Sequence, residues 1–316
     1  MIKNKLVKGF VIVAGIMAGL VVIGSGVVGG MISYGVLYQN KGKDTSYNSM
    51  MQLEKWGYDS ETFLNKYEGT LVSTRAEDGN EVPGTYFDDD NNKCVILVHG
   101  AGGDRTSSYP LAEEYLERGY DVIAFDQRGS GVNPDDKVTF GIKESLDVKA
   151  FVIYAKKELG YNKVYVHGQS MGGQTVAIYA SNVEAGSQEA ADAVICDSPV
   201  PGMELMLKEM FGDGDTEDFM ANYLTGMGKI YMKLFNGIDF DDADTIHVVE
   251  NDNIPTMIIV SNKDEVCLPE QEEQIYANIA CEEKAIMYVD SAHVEGVIDD
   301  SKGYMEGTVE FLNSLK

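Results

Sequence analysis

From residue 94 onward, short apolar runs alternate with segments of helical length. Residues 94–98, 120–125, 193–196, 255–260 and 285–289 are apolar nearly throughout. Runs apolar at every position, not at alternate ones, predict strands buried on both faces of a parallel sheet. Residues 163–167 alternate more, yet stand in the same rhythm. Between the runs, residues 145–159, 174–181 and 270–279 read as helices, so the succession predicts an α/β architecture. Upstream, residues 67–73 and 81–87 flank Asp78-Gly79, a hairpin signal that predicts an antiparallel start to the sheet. No internal repeat or low-complexity tract interrupts this pattern.

Two segments depart from the rhythm. Residues 9–38 carry no charge, and that stretch exceeds the roughly twenty residues a helix needs to cross a bilayer. It is too long for the apolar core of a cleaved signal, and no clear small-residue cleavage site follows it. Residues 1–43 therefore read as a single-pass membrane anchor with its linker, and 44–316 as the folded domain. Lys3, Lys5 and Lys8 precede the apolar stretch, and no acidic residue occurs before Asp44. The positive-inside rule then places the amino terminus in the cytoplasm and the domain outside, although Lys41 and Lys43 weaken the asymmetry. Gly15 with Gly19, and Gly26 with Gly30, have the spacing of a helix-pairing face, which a glycine-rich span also produces by composition alone.

The second departure is an insertion at about 200–252. Met203, Met206, Leu207 and Met210 recur at helical spacing, as do Phe219, Tyr223, Met227, Ile230, Tyr231 and Leu234. The pattern predicts a helical cap, its methionines and aromatics serving as an adaptable apolar wall or simply as helix packing. Gly212-Asp213-Gly214-Asp215 reads as the hinge between the cap helices.

The chemistry concentrates at Gly168-Gln169-Ser170-Met171-Gly172, between a predicted strand and a predicted helix. A serine between glycines at such a junction is held in a strained turn that lifts its hydroxyl clear of the sheet. Serine needs a base, and the base needs an orienting group. Downstream lie two histidines: His293, just past the run at 285–289, and His247, in an acidic stretch before a strand. His293 is the candidate base. Asp264 follows the run at 255–260 and is the candidate acid, with Asp197, one strand earlier, as its competitor. Glu265 is adjacent to Asp264, but consecutive side chains point apart. The amide of Met171, at a helix start, and that of Ala101, in His99-Gly100-Ala101-Gly102-Gly103, are candidate oxyanion donors. His99 reads as a loop-structuring residue and His167 as a buried, hydrogen-bonded one.

Together with Asp126-Gln127-Arg128-Gly129-Ser130-Gly131, these segments resemble the serine α/β-hydrolases, in particular their bacterial esterase, lipase and aminopeptidase-like branch. The resemblance covers roughly residues 67–316. It implies an eight-stranded, mostly parallel sheet with helices on both faces, and hydrolysis of an ester, or of an amide or peptide, through an acyl-enzyme. The chain order Ser170, Asp264, His293 is the family's order. Two positions depart from the family pattern: Ser261-Asn262-Lys263 lacks a glycine before the acid, and Val294 follows the histidine where many relatives carry glycine. A non-catalytic surface binding module of the same fold is the reading from another class, and the complete set Ser170, Asp264 and His293 speaks against it.

Composition bounds the partners. Five of the 25 basic residues precede Asp44, which leaves 20 against 51 acidic residues, a net of −31 for the remainder. Such a surface repels nucleic acid and anionic lipid headgroups; it reads first as a solvated acidic surface with no bearing on substrate, and a preference for neutral or cationic small molecules is the alternative. The four cysteines do not form a disulfide scaffold. Cys267 and Cys281 bracket a predicted helix that would hold them too far apart to bridge. No metal-ligand spacing, phosphate loop or dinucleotide fingerprint occurs, so no cofactor is expected.

Overall fold

The computed structural model describes residues 2–212 and 218–315, with side chains from Ala14 onward. The predicted hinge at 213–215 lies outside the described residues. In chain order the helices are α1 (Ile2–Leu37), α2 (Thr45–Lys55), α3 (Ser60–Lys66), α4 (Tyr109–Leu116), α5 (Glu144–Lys157) and α6 (Met171–Ser181). There follow α7 (Met203–Gly212), α8 (Phe219–Tyr231), α9 (Thr245–Val248), α10 (Pro269–Asn278), α11 (Gly296–Asp299) and α12 (Ser301–Ser314). The strands are β1 (Gly69–Arg75), β2 (Glu81–Phe87), β3 (Lys93–Val98), β4 (Asp121–Phe125), β5 (Lys163–Gln169), β6 (Ala193–Asp197), β7 (Thr256–Ser261) and β8 (Lys284–Val289).

All eight strands join one sheet in the order β1-β2-β4-β3-β5-β6-β7-β8. The hairpin β1–β2 and the pair β2–β4 are antiparallel, and every later pairing is parallel. The apolar runs become strands because both faces are covered. Along β3, Cys94, Ile96 and Val98 enter one apolar core with Phe151, Val176 and Ile275. Val95 and Leu97 point the other way, into a second core with Phe63, Tyr115 and Phe311. A strand buried on both sides has no polar face to show, and this is why its sequence does not alternate. Parallel strands all end on one side of the sheet, so the loops after β3, β5, β7 and β8 meet there.

A buried cation ties the hairpin to that side. Arg128, in the loop after β4, donates to Asp147 of α5 from Nε (3.0 Å) and Nη2 (2.7 Å). It also reaches Asp78 at the hairpin turn, from Nη1 (2.6 Å) and Nη2 (2.9 Å). Burial pushes the Asp147 carboxyl up to about 6 against the pull of Arg128.

By contacts the chain divides into two compact units, residues 38–203 with 241–316 and residues 1–37 with 204–240. The second of these joins α1 to α8 and to nearly all of α7. Gly29 of α1 meets the backbone of Met227 so closely that a Cβ would lie 2.5 Å from its carbonyl oxygen, and Gly228 of α8 sits as tightly against Ile32. Ser25 hydrogen bonds to the Tyr223 hydroxyl at 2.7 Å, and Ser33 donates to Asn236 at 2.9 Å. Small residues thus let α1 and α8 run side by side. Of the glycines singled out by spacing, Gly15, Gly19 and Gly26 face open space and Gly30 touches Tyr231. Residues Ala14–Leu37 are long and apolar enough to cross a membrane by length and composition.

Arg128→Met leaves the buried Asp147 without its cation, so a loss of about 3–5 kcal/mol of stability is expected in chemical denaturation. A change within about 1 kcal/mol would contradict the structural weight given to this pair.

Candidate active site

Ser170 occupies the tip of the turn between β5 and α6, at φ 57° and ψ −121°. This is a strained conformation for a non-glycine residue, and the surroundings enforce it. A Cβ on Gly168 would lie 2.2 Å from the Gly172 carbonyl oxygen, and one on Gly172 would lie 2.1 Å from that of Val98. Only glycine allows strand, turn and helix to close so tightly. The Ser170 amide donates to the Asp197 carbonyl at 2.8 Å, which pins the turn to β6.

Three loops bring three side chains into line. His293 Nε2 lies 2.8 Å from Ser170 Oγ, and its Nδ1 lies 2.6 Å from Asp264 Oδ2. The other oxygen, Asp264 Oδ1, accepts the amides of Val266 (2.8 Å) and Cys267 (2.9 Å). Burial by itself would raise this carboxyl, but the His293 contact and the two amides outweigh it and hold Asp264 below the usual carboxylate value. An ionised Asp264 calls for hydrogen on Nδ1, leaving Nε2 free to accept the serine proton.

The remaining candidates are engaged elsewhere. Asp197 is buried at the end of β6, where its Oδ2 accepts from Gln169 (2.9 Å) and Tyr304 (2.8 Å). His99 Nε2 accepts the Gln127 amide at 3.0 Å, so its Nδ1 donates to the Gly100 carbonyl at 2.7 Å. His167 lies between the hydroxyls of Tyr115 (2.9 Å) and Tyr304 (3.0 Å), and burial pushes it down to about 3. His247 is exposed and pairs with Asp244. Met171 is the first residue of α6, so its amide has no acceptor within the helix. Ala101 lines the cleft at Ser170. Among the described residues no group of three His, Cys, Asp or Glu side chains is placed to hold a metal ion.

That cleft has a volume of about 410 Å³, within the size range of small-molecule sites. One wall is the loop at 100–103, and another is the turn from His293 to Glu295. The third wall was not expected from sequence: Asn48, Ser49 and Gln52 of α2, with Trp56 just beyond it. Asn48 donates to the Gly102 carbonyl at 3.0 Å, Ser49 Oγ accepts the Asp104 amide at 2.8 Å, and Trp56 Nε1 donates to Glu295 at 3.0 Å. Val294, the departure noted in the sequence, has φ +53°, a conformation that glycine would adopt without strain.

The chain as a whole is similar to known proteins. A family model for the alpha/beta hydrolase fold matches residues 93–236. The chain superposes on the Pyrococcus furiosus esterase Pf2001 with a TM-score of 0.64, at 21% identity, covering 82% of this chain and 96% of that one. The chain has the α/β-hydrolase fold. The enol-lactonase from Burkholderia xenovorans is similar at TM-score 0.54 and 17% identity, covering 77% of this chain and all of that one (100%). In sequence, the Escherichia coli protein YfhR is 22% identical over 250 residues, 77% of this chain and 80% of its own length. A Clostridium botulinum proline iminopeptidase is 28% identical over a shorter stretch of 121 residues, 38% of this chain and 39% of its own length.

Behind Asp264 lies a group that the sequence did not reveal. Glu272 of α10 is fully buried, and neither carboxyl oxygen has a hydrogen-bond partner. Burial first, and then the charges of Asp264 and Asp197, push it up to about 10. Glu272 is therefore neutral, and negative charge collects on Asp264 instead.

An unfolded chain ionises Glu272 near 4.5. The stability it contributes is complete below that pH and is lost as pH climbs toward 10. Between pH 5 and 8 the wild type should lose more stability than Glu272→Gln, by on the order of a few kcal/mol in urea titrations. Parallel stability curves for the two chains would contradict the assignment of a neutral buried acid.

Proposed function

We propose that this α/β-hydrolase is a serine hydrolase that cleaves carboxylic esters through an acyl-enzyme. The observation that carries the reading is the unbroken relay from Asp264 to His293 to Ser170, at 2.6 and 2.8 Å. Ser170 Oγ attacks the ester carbonyl carbon while His293 Nε2 takes its proton. The oxyanion forms beside the amides of Met171 and Ala101. When the intermediate collapses, the C–O bond to the alcohol breaks and His293 returns its proton to the leaving oxygen. Water, deprotonated by His293, then releases the acid and restores Ser170. Asp264 keeps the imidazole in the tautomer that accepts at Nε2 and stabilises the imidazolium that forms.

Amide or peptide cleavage by the same steps is the second reading, favoured by the likeness to a proline iminopeptidase. The helix at Ala14–Leu37 supports a single-pass anchor in the cell membrane. Lys3, Lys5 and Lys8 favour a cytoplasmic amino terminus with the hydrolase body outside.

A panel of p-nitrophenyl esters beside aminoacyl p-nitroanilides separates the two substrate classes. Ser170→Ala should lower kcat/KM by about 10⁴-fold or more while the chain stays folded. Asp264→Asn should cost on the order of 10²- to 10⁴-fold, and Asp197→Asn, which leaves the His293 contact in place, far less. Undiminished turnover by Ser170→Ala, or the reverse ranking of the two aspartates, would contradict the mechanism.

A further inference from the structure

Glu295 stands two residues after His293, and its side chain lines the same cleft as Ser170. Among the described residues it is the one carboxylate in that lining, and no lysine or arginine side chain there accompanies it. The turn that presents it is strained: Val294, between His293 and Glu295, holds a left-handed φ of +53° that a β-branched residue rarely adopts. Strain of this kind persists where surrounding structure fixes a geometry that matters. Trp56 fixes the carboxylate in turn, donating its indole N–H to Oε1 at 3.0 Å. One neutral donor does not neutralise the charge, and Oε2 remains for another partner. Asn48 commits its amide nitrogen to Gly102, so its Oδ1 is left as an acceptor in the same wall.

We propose that Glu295 and Trp56 form a subsite for a positively charged amine or quaternary ammonium group carried by the substrate. The chemistry favours an organic cation over a metal ion. A single carboxylate beside an indole is a poor metal site, whereas an indole is the best aromatic surface for ammonium groups. The anionic body of the protein raises the local concentration of such substrates. The subsite rests on the hydrolase reading for the position of the scissile bond, but the binding of a cation there does not need turnover.

The test therefore has a binding arm and a kinetic arm, both on the full chain in detergent. In the first, butyltrimethylammonium is titrated calorimetrically into Ser170→Ala and into the double variant with Glu295→Gln, with 3,3-dimethylbutanol as the uncharged control. Saturable binding of the cation should weaken about tenfold or more when Glu295 is changed, and Glu295→Asp should restore part of it. In the second, kcat/KM is compared for butyrylthiocholine and its uncharged isostere, 3,3-dimethylbutyl thiobutyrate. The wild-type ratio should favour the cation and fall about tenfold in Glu295→Gln. Cation binding that ignores Glu295, or a substrate ratio unmoved by its loss, overturns the subsite and leaves Glu295 a brace for α2. Absence of Ser170-dependent turnover with cation binding intact would instead sink the hydrolase reading alone.

Discussion

Three backbone segments meet at the serine turn with no room for a side chain between them. The Gly172 α-carbon packs against the Val98 carbonyl at the end of β3, and Gly168 packs against Gly172 itself. This contact is possible because β3 and β5 are neighbours in register, Val98 opposite Gly168. Closing the turn forces Ser170 to φ 57° and aims its hydroxyl out of the sheet. The same closure brings the loop after β3 to the start of α6, so the Ala101 and Met171 segments border one site. The loop after β3 and the start of α6 take their places around Ser170 from this one steric constraint.

Electrostatics then sort the surrounding acids into distinct states. Asp264 is held ionised by two amides and His293, whereas Glu272, buried nearby with no partner, is neutral. Asp197 sits between them in role: buried, bridged to Tyr304 and Gln169, and bound through its carbonyl to the Ser170 amide. Its contribution is to brace the turn from behind. Two like charges close together in a low dielectric repel strongly, so protonating one carboxyl lets the other keep its charge. The cleft wall follows a similar division, with the polar face of α2 supplying neutral groups and Glu295 the formal charge.

Much of this was legible in the sequence, for identifiable reasons. Doubly buried strands write themselves as unbroken apolar runs, and Gly168 and Gly172 mark a turn around Ser170 that only glycines can close. The chain positions of His293 and Asp264, each just past a strand, follow from where parallel strands end. Other features depend on contacts distant in sequence and left no local trace. Gly29 and Gly228 matter because α1 and α8 lie side by side, which no spacing within α1 alone could indicate. Asn48 and Gln52 belong to no motif in the sequence, yet they line the cleft. Glu272, in an acidic helix start, carried no sign that its side chain would be buried. Val294 was visible as a departure, and its positive φ gives the departure a physical meaning.

The central claim is that the contact with His293 makes Ser170 an activated nucleophile. Reaction of the intact chain with a fluorophosphonate, followed by mass spectrometry of the digest, tests it directly. The account predicts a covalent adduct on Ser170 that forms in the wild type and is lost on Ser170→Ala and strongly slowed on His293→Ala. A folded chain that forms no adduct, or forms it on another serine, would contradict it.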